Sequence, residues 1–180
     1  MKCASIMVMV VALGITALLA LKLRSFQARR ASVGETPSIR GQTAPDFALE
    51  SVDGRIVHLS DFQGKGVLLH FWATSWLPCR VEMQWFEQMH NQYGAQGLQV
   101  LGIAMDNADK KDIAEFASNL GVDYPILLGK ESVGESYGGV QVLPVTIYIG
   151  RDGKIVEKVF GVKGHDEIED NVRKALGRRQ

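Results

Sequence analysis

Hydrophobic and polar positions divide the chain into three unequal parts. Residues 4–21 form an 18-residue run without a charge. As a helix rising about 1.5 Å per residue, this run would span roughly 27 Å, close to the thickness of a bilayer core. Residues 25–42 are polar, include Gly34, Pro37 and Gly41, and read as a linker. From Thr43 to about residue 177 the apolar positions recur with the short periods of strands and helices, leaving 178–180 as a tail.

Within the third part the pattern predicts an ordered set of elements. Residues 47–49 and 56–59 read as short strands around an Asp53-Gly54 turn. Residues 67–72 are nearly all apolar, as a strand covered on both faces should be. Pro78 suits the first turn of a helix, where its missing N–H is not needed. That helix is expected to run to about residue 93, with Glu82, Trp85, Phe86, Met89 and Tyr93 on one face and Gly94 and Gly97 closing it. A second core strand follows at 98–105. An amphipathic helix at 109–120 turns Ile113, Phe116, Ala117 and Leu120 inward. A short extended piece at 124–128 and a helical turn at 132–137 come next. Strands 145–149 and 155–160 flank a hairpin turn at 151–154. A last helix, 166–176, carries Ile168, Val172 and Leu176 on one face. Parallel strands with crossover helices, then an antiparallel hairpin, describe an α/β sandwich with a mixed sheet.

Charge changes the picture in one respect. The chain is formally neutral, but residues 1–41 hold six basic side chains against Glu35 alone, and the remainder holds 14 basic and 19 acidic ones. An acidic domain carries no footprint for nucleic acid. The two cysteines, Cys3 at the edge of the apolar run and Cys79 in the domain, provide no disulfide framework. His58, His70, His90 and His165 are scattered and give no metal-ligand spacing with Cys79, and the pattern calls for no cofactor.

The candidate chemistry lies in Phe71-Trp72-Ala73-Thr74-Ser75-Trp76-Leu77-Pro78-Cys79-Arg80: a buried strand, a polar turn, then a helix opening on a thiol. Backbone N–H groups and the helix dipole favour negative charge there, which is where thiol redox enzymes place a cysteine. Strand, W-A-T-x-x-x-P-C-R and helix together resemble the thioredoxin-like TlpA family of membrane-anchored thiol–disulfide oxidoreductases, over about residues 41–177. The resemblance implies a thioredoxin-like fold following an N-terminal transmembrane helix at 1–24. It also implies disulfide exchange outside the cytoplasm, including reduction of apocytochrome c thiols. The family reads W-A-T-W-C-x-P-C-R here, so Trp76 stands where its first, nucleophilic cysteine belongs, and C-x-x-C has become W-x-x-C.

That departure shapes the expectations for single residues. Cys79 matches the family's second, more buried cysteine. Without a partner thiol it cannot complete a two-electron dithiol cycle, but it can form a mixed disulfide or a sulfenic acid if it is reached. An inert remnant is the alternative. Trp76 is either a binding anchor in the substrate groove or a neutral replacement. Leu143-Pro144-Val145-Thr146 resembles the family's L-P-T-T segment, whose proline is cis and faces the motif. Residue 143 would then offer backbone groups to an extended peptide. Glu82, three residues past Cys79, could relay protons to the thiol or sit solvated in the first helical turn. Gln84 stands where the family usually has proline. His70, where the family often has asparagine, reads as a satisfied core histidine, with a catalytic base as the alternative.

Three functions follow as expectations. The first is a thiol–disulfide oxidoreductase relative with monothiol chemistry at Cys79, acting on protein thiols or disulfides in redox homeostasis or cytochrome c maturation. The second is a non-redox module holding an extended polypeptide in the Trp76/Pro144 groove. The third is a single-cysteine peroxidase, for which the residues at the proline and threonine positions of P-x-x-x-T-x-x-C are unsuitable: they are Trp72 and Trp76, and neither can hydrogen-bond a peroxide as a threonine does. The N-terminal run is expected to be an uncleaved membrane anchor, a cleaved signal being the alternative. Its basic flank at Lys22, Arg24, Arg29 and Arg30 favours a cytoplasmic domain. The resemblance implies the extracytoplasmic side and takes precedence here, because a short basic cluster beyond a single signal-anchor often translocates with its domain.

Overall fold

The computed structural model of the protein describes residues 38–140 and 142–178. The apolar run 4–21, Cys3 and the linker as far as residue 37 lie outside them. Among the described residues no helix is long and apolar enough to cross a membrane.

Two three-residue strands come first. β1 (Ala48–Glu50) and β2 (Ile56–His58) pair antiparallel, with the buried Leu49 opposite the buried Val57 and polar or exposed residues on either side. This is the alternation of a ribbon lying with one face on a core. A 3-10 turn, Leu59–Phe62, then leads into β3 (Gly66–Trp72), which is buried at all seven positions. Its neighbours explain why. β4 (Leu98–Ala104), reached through helix α1 (Pro78–Tyr93), runs parallel on one side, and β6 (Val145–Ile149) runs antiparallel on the other. After α2 (Lys110–Asn119), β5 (Ile126–Leu128) extends the sheet past β4. After α3 (Glu131–Ser136) and β6, β7 (Ile155–Phe160) extends it on the other side, and α4 (His165–Ala175) closes the chain. The sheet order is β5-β4-β3-β6-β7, the mixed sheet that the sequence pattern implied.

β3 divides two cores. Leu68 and Trp72 lie in a cluster with Cys79, Met83, Phe86 and Met89 of α1 and with Ile168 and Val172 of α4. Leu69 and Phe71 lie in another with Leu49, Leu101, Tyr137 and Ile147. Helix α1 runs unbroken through Gln84, and its inward stripe differs from the expected one: Met83 is fully buried, whereas Trp85 is half-buried with its ring edge-on to His165 at 6.2 Å. The helix leads through Gly94 to Gly97, whose φ of 92° suits a residue without a Cβ. Gly102 matters for a different reason. A Cβ there would come within 2.7 Å of Ile126 and 3.1 Å of Trp72 Nε1, so only glycine lets these side chains close over the strand next to His70.

Candidate functional site

The end of β3 feeds the turn that carries the motif. The Trp72 carbonyl accepts the Met105 N–H at 2.8 Å, and the Thr74 N–H donates to the Asp106 carboxylate, so the turn is tied to the end of β4. Within it, Ala73 accepts from the Trp76 N–H at 3.2 Å and Trp76 accepts from the Cys79 N–H at 3.1 Å. Leu77 already has helical dihedrals, and Pro78 occupies the first turn of α1. This geometry leaves Trp76 and Leu77 50% and 67% exposed and gives Cys79 no exposed surface at all.

Burial decides the chemistry of Cys79. Desolvation pushes its thiol pKa up; the Ala73 backbone amide works the other way, and the charge of Glu82 adds to the rise. The helix N-terminus, expected to favour thiolate, does not prevail. A dipole contributes up to about 2 kcal/mol, less than burying an unpaired ion costs. Glu82 is not a solvated helix residue either. It is 1% exposed, and its Oε1 accepts the Lys163 N–H at 3.0 Å. Burial raises its carboxyl to about 7 against the opposing influence of Lys163.

His70 is buried with no exposure, its ring edge-on to Phe86 at 4.7 Å. Neither ring nitrogen has a hydrogen-bond partner, which corrects the expectation of a satisfied core histidine. Its Nε2 lies 3.7 Å from Glu82 Oε2, and burial pulls the imidazole down to about 3. Desolvation disfavours the charged form of both groups, so the pair is uncharged and not a salt bridge across the range between those two values.

The Leu143–Pro144 bond is cis, as the resemblance implied. The Pro144 carbonyl accepts the Gly161 N–H at 2.9 Å, and Lys163, two residues on, reaches Glu82. Main-chain bonds thus run from Pro144 through 161–163 to the carboxyl one helical turn from Cys79, with Trp76 at the solvent edge of the same turn. Leu143 is half-buried against the second core. The role of 161–163 was not visible in the sequence, since its contacts span 17 and 81 residues and use backbone groups any residue supplies. Six of the seven large apolar side chains exposed among the described residues, Trp76, Leu77, Val81, Val142, Phe160 and Val162, lie on the motif turn, the first turns of α1 or the segments joined at Pro144; Ile56 is the seventh. Among the described residues no three His, Cys, Asp or Glu side chains are grouped as a metal ion would need.

Comparison with known proteins agrees with this geometry. Residues 40–158 match the model of the AhpC/TSA family. The thiol–disulfide oxidoreductase ResA of Bacillus anthracis is 34% identical over 136 residues, covering 74% of this chain and 77% of that protein. ResA of Bacillus subtilis strain 168 is 32% identical over 138 residues, covering 76% of each. The fold superposes on a crystal structure described as a thiol:disulfide interchange protein DsbE from Chlorobium tepidum, with a TM-score of 0.71, 33% identity, and coverage of 77% of this chain and 98% of that one. It also superposes on the solution structure of a thiol:disulfide interchange protein from Bacteroides sp., with a TM-score of 0.66, 27% identity, and coverage of 77% and 90%. The chain therefore belongs to the AhpC/TSA family, with a thioredoxin-like domain whose relatives are thiol–disulfide oxidoreductases of the ResA and DsbE type.

Proposed function

We propose that this protein is a TlpA-type member of the thiol–disulfide oxidoreductase group that works with one thiol, its W-x-x-C centre having lost the internal dithiol cycle. Residues 4–21 anchor it, and the domain 43–177 acts on protein thiols or disulfides on the extracytoplasmic side, in redox homeostasis or cytochrome c maturation. The observation that carries this reading is the placement of Cys79 one helical turn before a buried carboxyl that titrates near neutrality. In the step available to it, Cys79 loses its proton to solvent as the turn opens, a neutral Glu82 adding no charge against the thiolate, and the thiolate attacks a partner's disulfide. One S–S bond forms as the partner's breaks, and the released partner sulfur leaves as thiolate. A thiol from the partner or a small thiol must then free Cys79. Because Cys79 has no exposed surface, the reaction waits on local opening of the turn 73–78.

The exposed apolar side chains on the motif turn, at the start of α1 and on the segments joined at Pro144 favour a second reading, a non-redox module that holds an extended polypeptide. One experiment separates the two. In a Cys3→Ser background, a disulfide reagent should modify Cys79 slowly in the native protein, to one equivalent, with a rate that rises under conditions promoting local opening. Modification only on global unfolding would reject the monothiol reading in favour of the binding module.

A further inference from the structure

His70 and Glu82 sit back to back in the core without completing their hydrogen bonds. His70 Nδ1 and Nε2 and Glu82 Oε2 are all buried and unpartnered, and the facing pair, Nε2 and Oε2, is 3.7 Å apart. That separation is too long for a hydrogen bond, and a side-chain rotation bringing it to about 2.8 Å would make one. Counting donors and acceptors selects the proton arrangement. If Glu82 carries its proton on Oε2 and donates to Nε2, Oε1 remains free to accept from Lys163, and the Nδ1–H is the single orphan. If Nε2–H instead donates to Oε2, the Glu82 proton must sit on Oε1, and both that O–H and Nδ1 are left unpaired. Nε2–H donating to an ionised Glu82 leaves Nδ1 alone unpaired but buries a charge with no counter-ion beside it, and a fully ionised pair buries two charges and still leaves Nδ1–H unsatisfied. The first arrangement costs least.

We propose that Glu82 donates its carboxyl proton to His70 Nε2, forming an uncharged buried pair in which His70 positions that proton next to Cys79. The titratable and charged groups facing Glu82 are Cys79 on its own helix, His70 from β3, Tyr148 from β6, Tyr124 ahead of β5, and Lys163 ahead of α4. Lys163 is the cation among them, and its Nζ lies 3.6 Å from Glu167, pairing outward. Phe86 closes the other side of the imidazole. Among these groups His70 is the one with a ring nitrogen facing Glu82 Oε2, at 3.7 Å. Its consequence for Cys79 rests on the reading of that thiol as the working group; the pair itself does not.

The test is nitrogen NMR of the imidazoles in the full-length protein at pH 6. Wild type should show His70 neutral, with Nδ1 protonated and Nε2 unprotonated and displaced by an accepted hydrogen bond. Glu82→Gln, whose amide N–H can still donate, should keep that signature, and Glu82→Leu should lose it. A protonated Nε2 in wild type, or identical His70 signals in wild type and Glu82→Leu, would overturn the pair. Alkylation of Cys79 in the Cys3→Ser background supplies the second readout. Glu82→Gln should speed it about tenfold at pH 8 for each unit by which losing the carboxylate lowers the thiol pKa. A Cys79 that resists alkylation at every pH counts against the thiol reading and leaves the imidazole result standing.

Discussion

The two faces of β3 behave as different materials. Leu69 and Phe71 look into a core of Leu101, Ile103, Tyr137 and Ile147, where the one phenol is satisfied by donating to the Pro45 carbonyl at 2.7 Å. Leu68, His70 and Trp72 look the other way, toward α1. On that side the unpartnered atoms collect: both His70 nitrogens, Trp72 Nε1, Glu82 Oε2 and the Tyr124 hydroxyl. A strand with a period of two can give one face to support and the other to chemistry. The difference teaches where to look for a site. A native fold tolerates unpaired buried polar groups at few places, and here five of the seven among the described residues lie on the motif cysteine's side of the sheet, the other two being His90 Nδ1 and Gln96 Oε1 at the far end of α1 and beyond it.

The largest expected effect comes from the supporting face. Phe71→Ala should cost about 3–5 kcal/mol, read as a fall in the urea midpoint, because the void left between the sheet and Tyr137 cannot collapse. For a domain whose whole stability is of order 5–15 kcal/mol this approaches unfolding. A loss of less than about 1 kcal/mol would erase the contrast between the faces.

The polar face should reveal itself through pH. Glu82, ordinarily near 4.5, is held to about 7 in the fold, a difference worth about 3 kcal/mol. Its contribution is full below 4.5 and is lost as pH climbs to 7, because over that window the unfolded chain ionises it and the fold does not. His70 runs the opposite way, from 6.5 to about 3. Its contribution is full above 6.5 and is lost as pH falls toward 3. Between 4.5 and 6.5 the two slopes cancel, so stability from this pair should be flat there and fall on both sides. Glu82→Gln should remove the alkaline fall and His70→Leu the acid fall. An ion pair would exchange those assignments, and urea midpoints across pH 3–8 distinguish the two cases.

A smaller effect sharpens the same contrast at constant pH. At pH 6.5, where the His70 contribution is nearly full, His70→Leu replaces one buried orphan, the Nδ1–H, by another, the Glu82 O–H, so its midpoint should stay within about 1 kcal/mol of wild type. A loss as large as that of Phe71→Ala would mean that His70 is an ordinary packing residue.

The sequence made the scaffold legible and left the site half-read. The nearly all-apolar run at 67–72 read as a strand covered on both faces, and Pro78 marked the start of α1. The spacing of Cys79 and Glu82 placed them on adjacent turns of one helix. It could not say how fully both are buried, because the expected stripe took in Trp85 and passed over Met83. Only the packing of α4, through His165, leaves Trp85 at the edge. His70 was recognisable as buried but not as unpartnered. Partners are a property of tertiary arrangement, and the nearest candidate, Glu82, is twelve residues away on another element. Lys163 could not be found at all, since it contributes a backbone N–H.

The smallest change in stability, and the largest change in kind, belongs to Trp76→Cys. The indole is half exposed, so its removal opens no core cavity, and the urea midpoint of the reduced protein should move by no more than about 0.5–1 kcal/mol. The backbone is already shaped for a pair of sulfurs. Cys79 N–H donates to the carbonyl of residue 76 at 3.1 Å, an i to i+3 turn that holds the two Cα atoms within about 7 Å, the reach of a disulfide. The new thiol would lie on the solvent side, where attack is possible, and Cys79 on the buried side, as the resolving partner of a C-x-x-C pair must be. In a Cys3→Ser background the variant should lose both free thiols under mild oxidant and regain them with dithiol reductant. It should also reduce a model protein disulfide catalytically, which wild type should not do. If the folded variant keeps both thiols free under oxidant, positions 76 and 79 are not a redox pair, and the assignment of Trp76 to the lost nucleophile fails. If wild type turns over the same disulfide at a comparable rate, the lost dithiol cycle is the claim that falls.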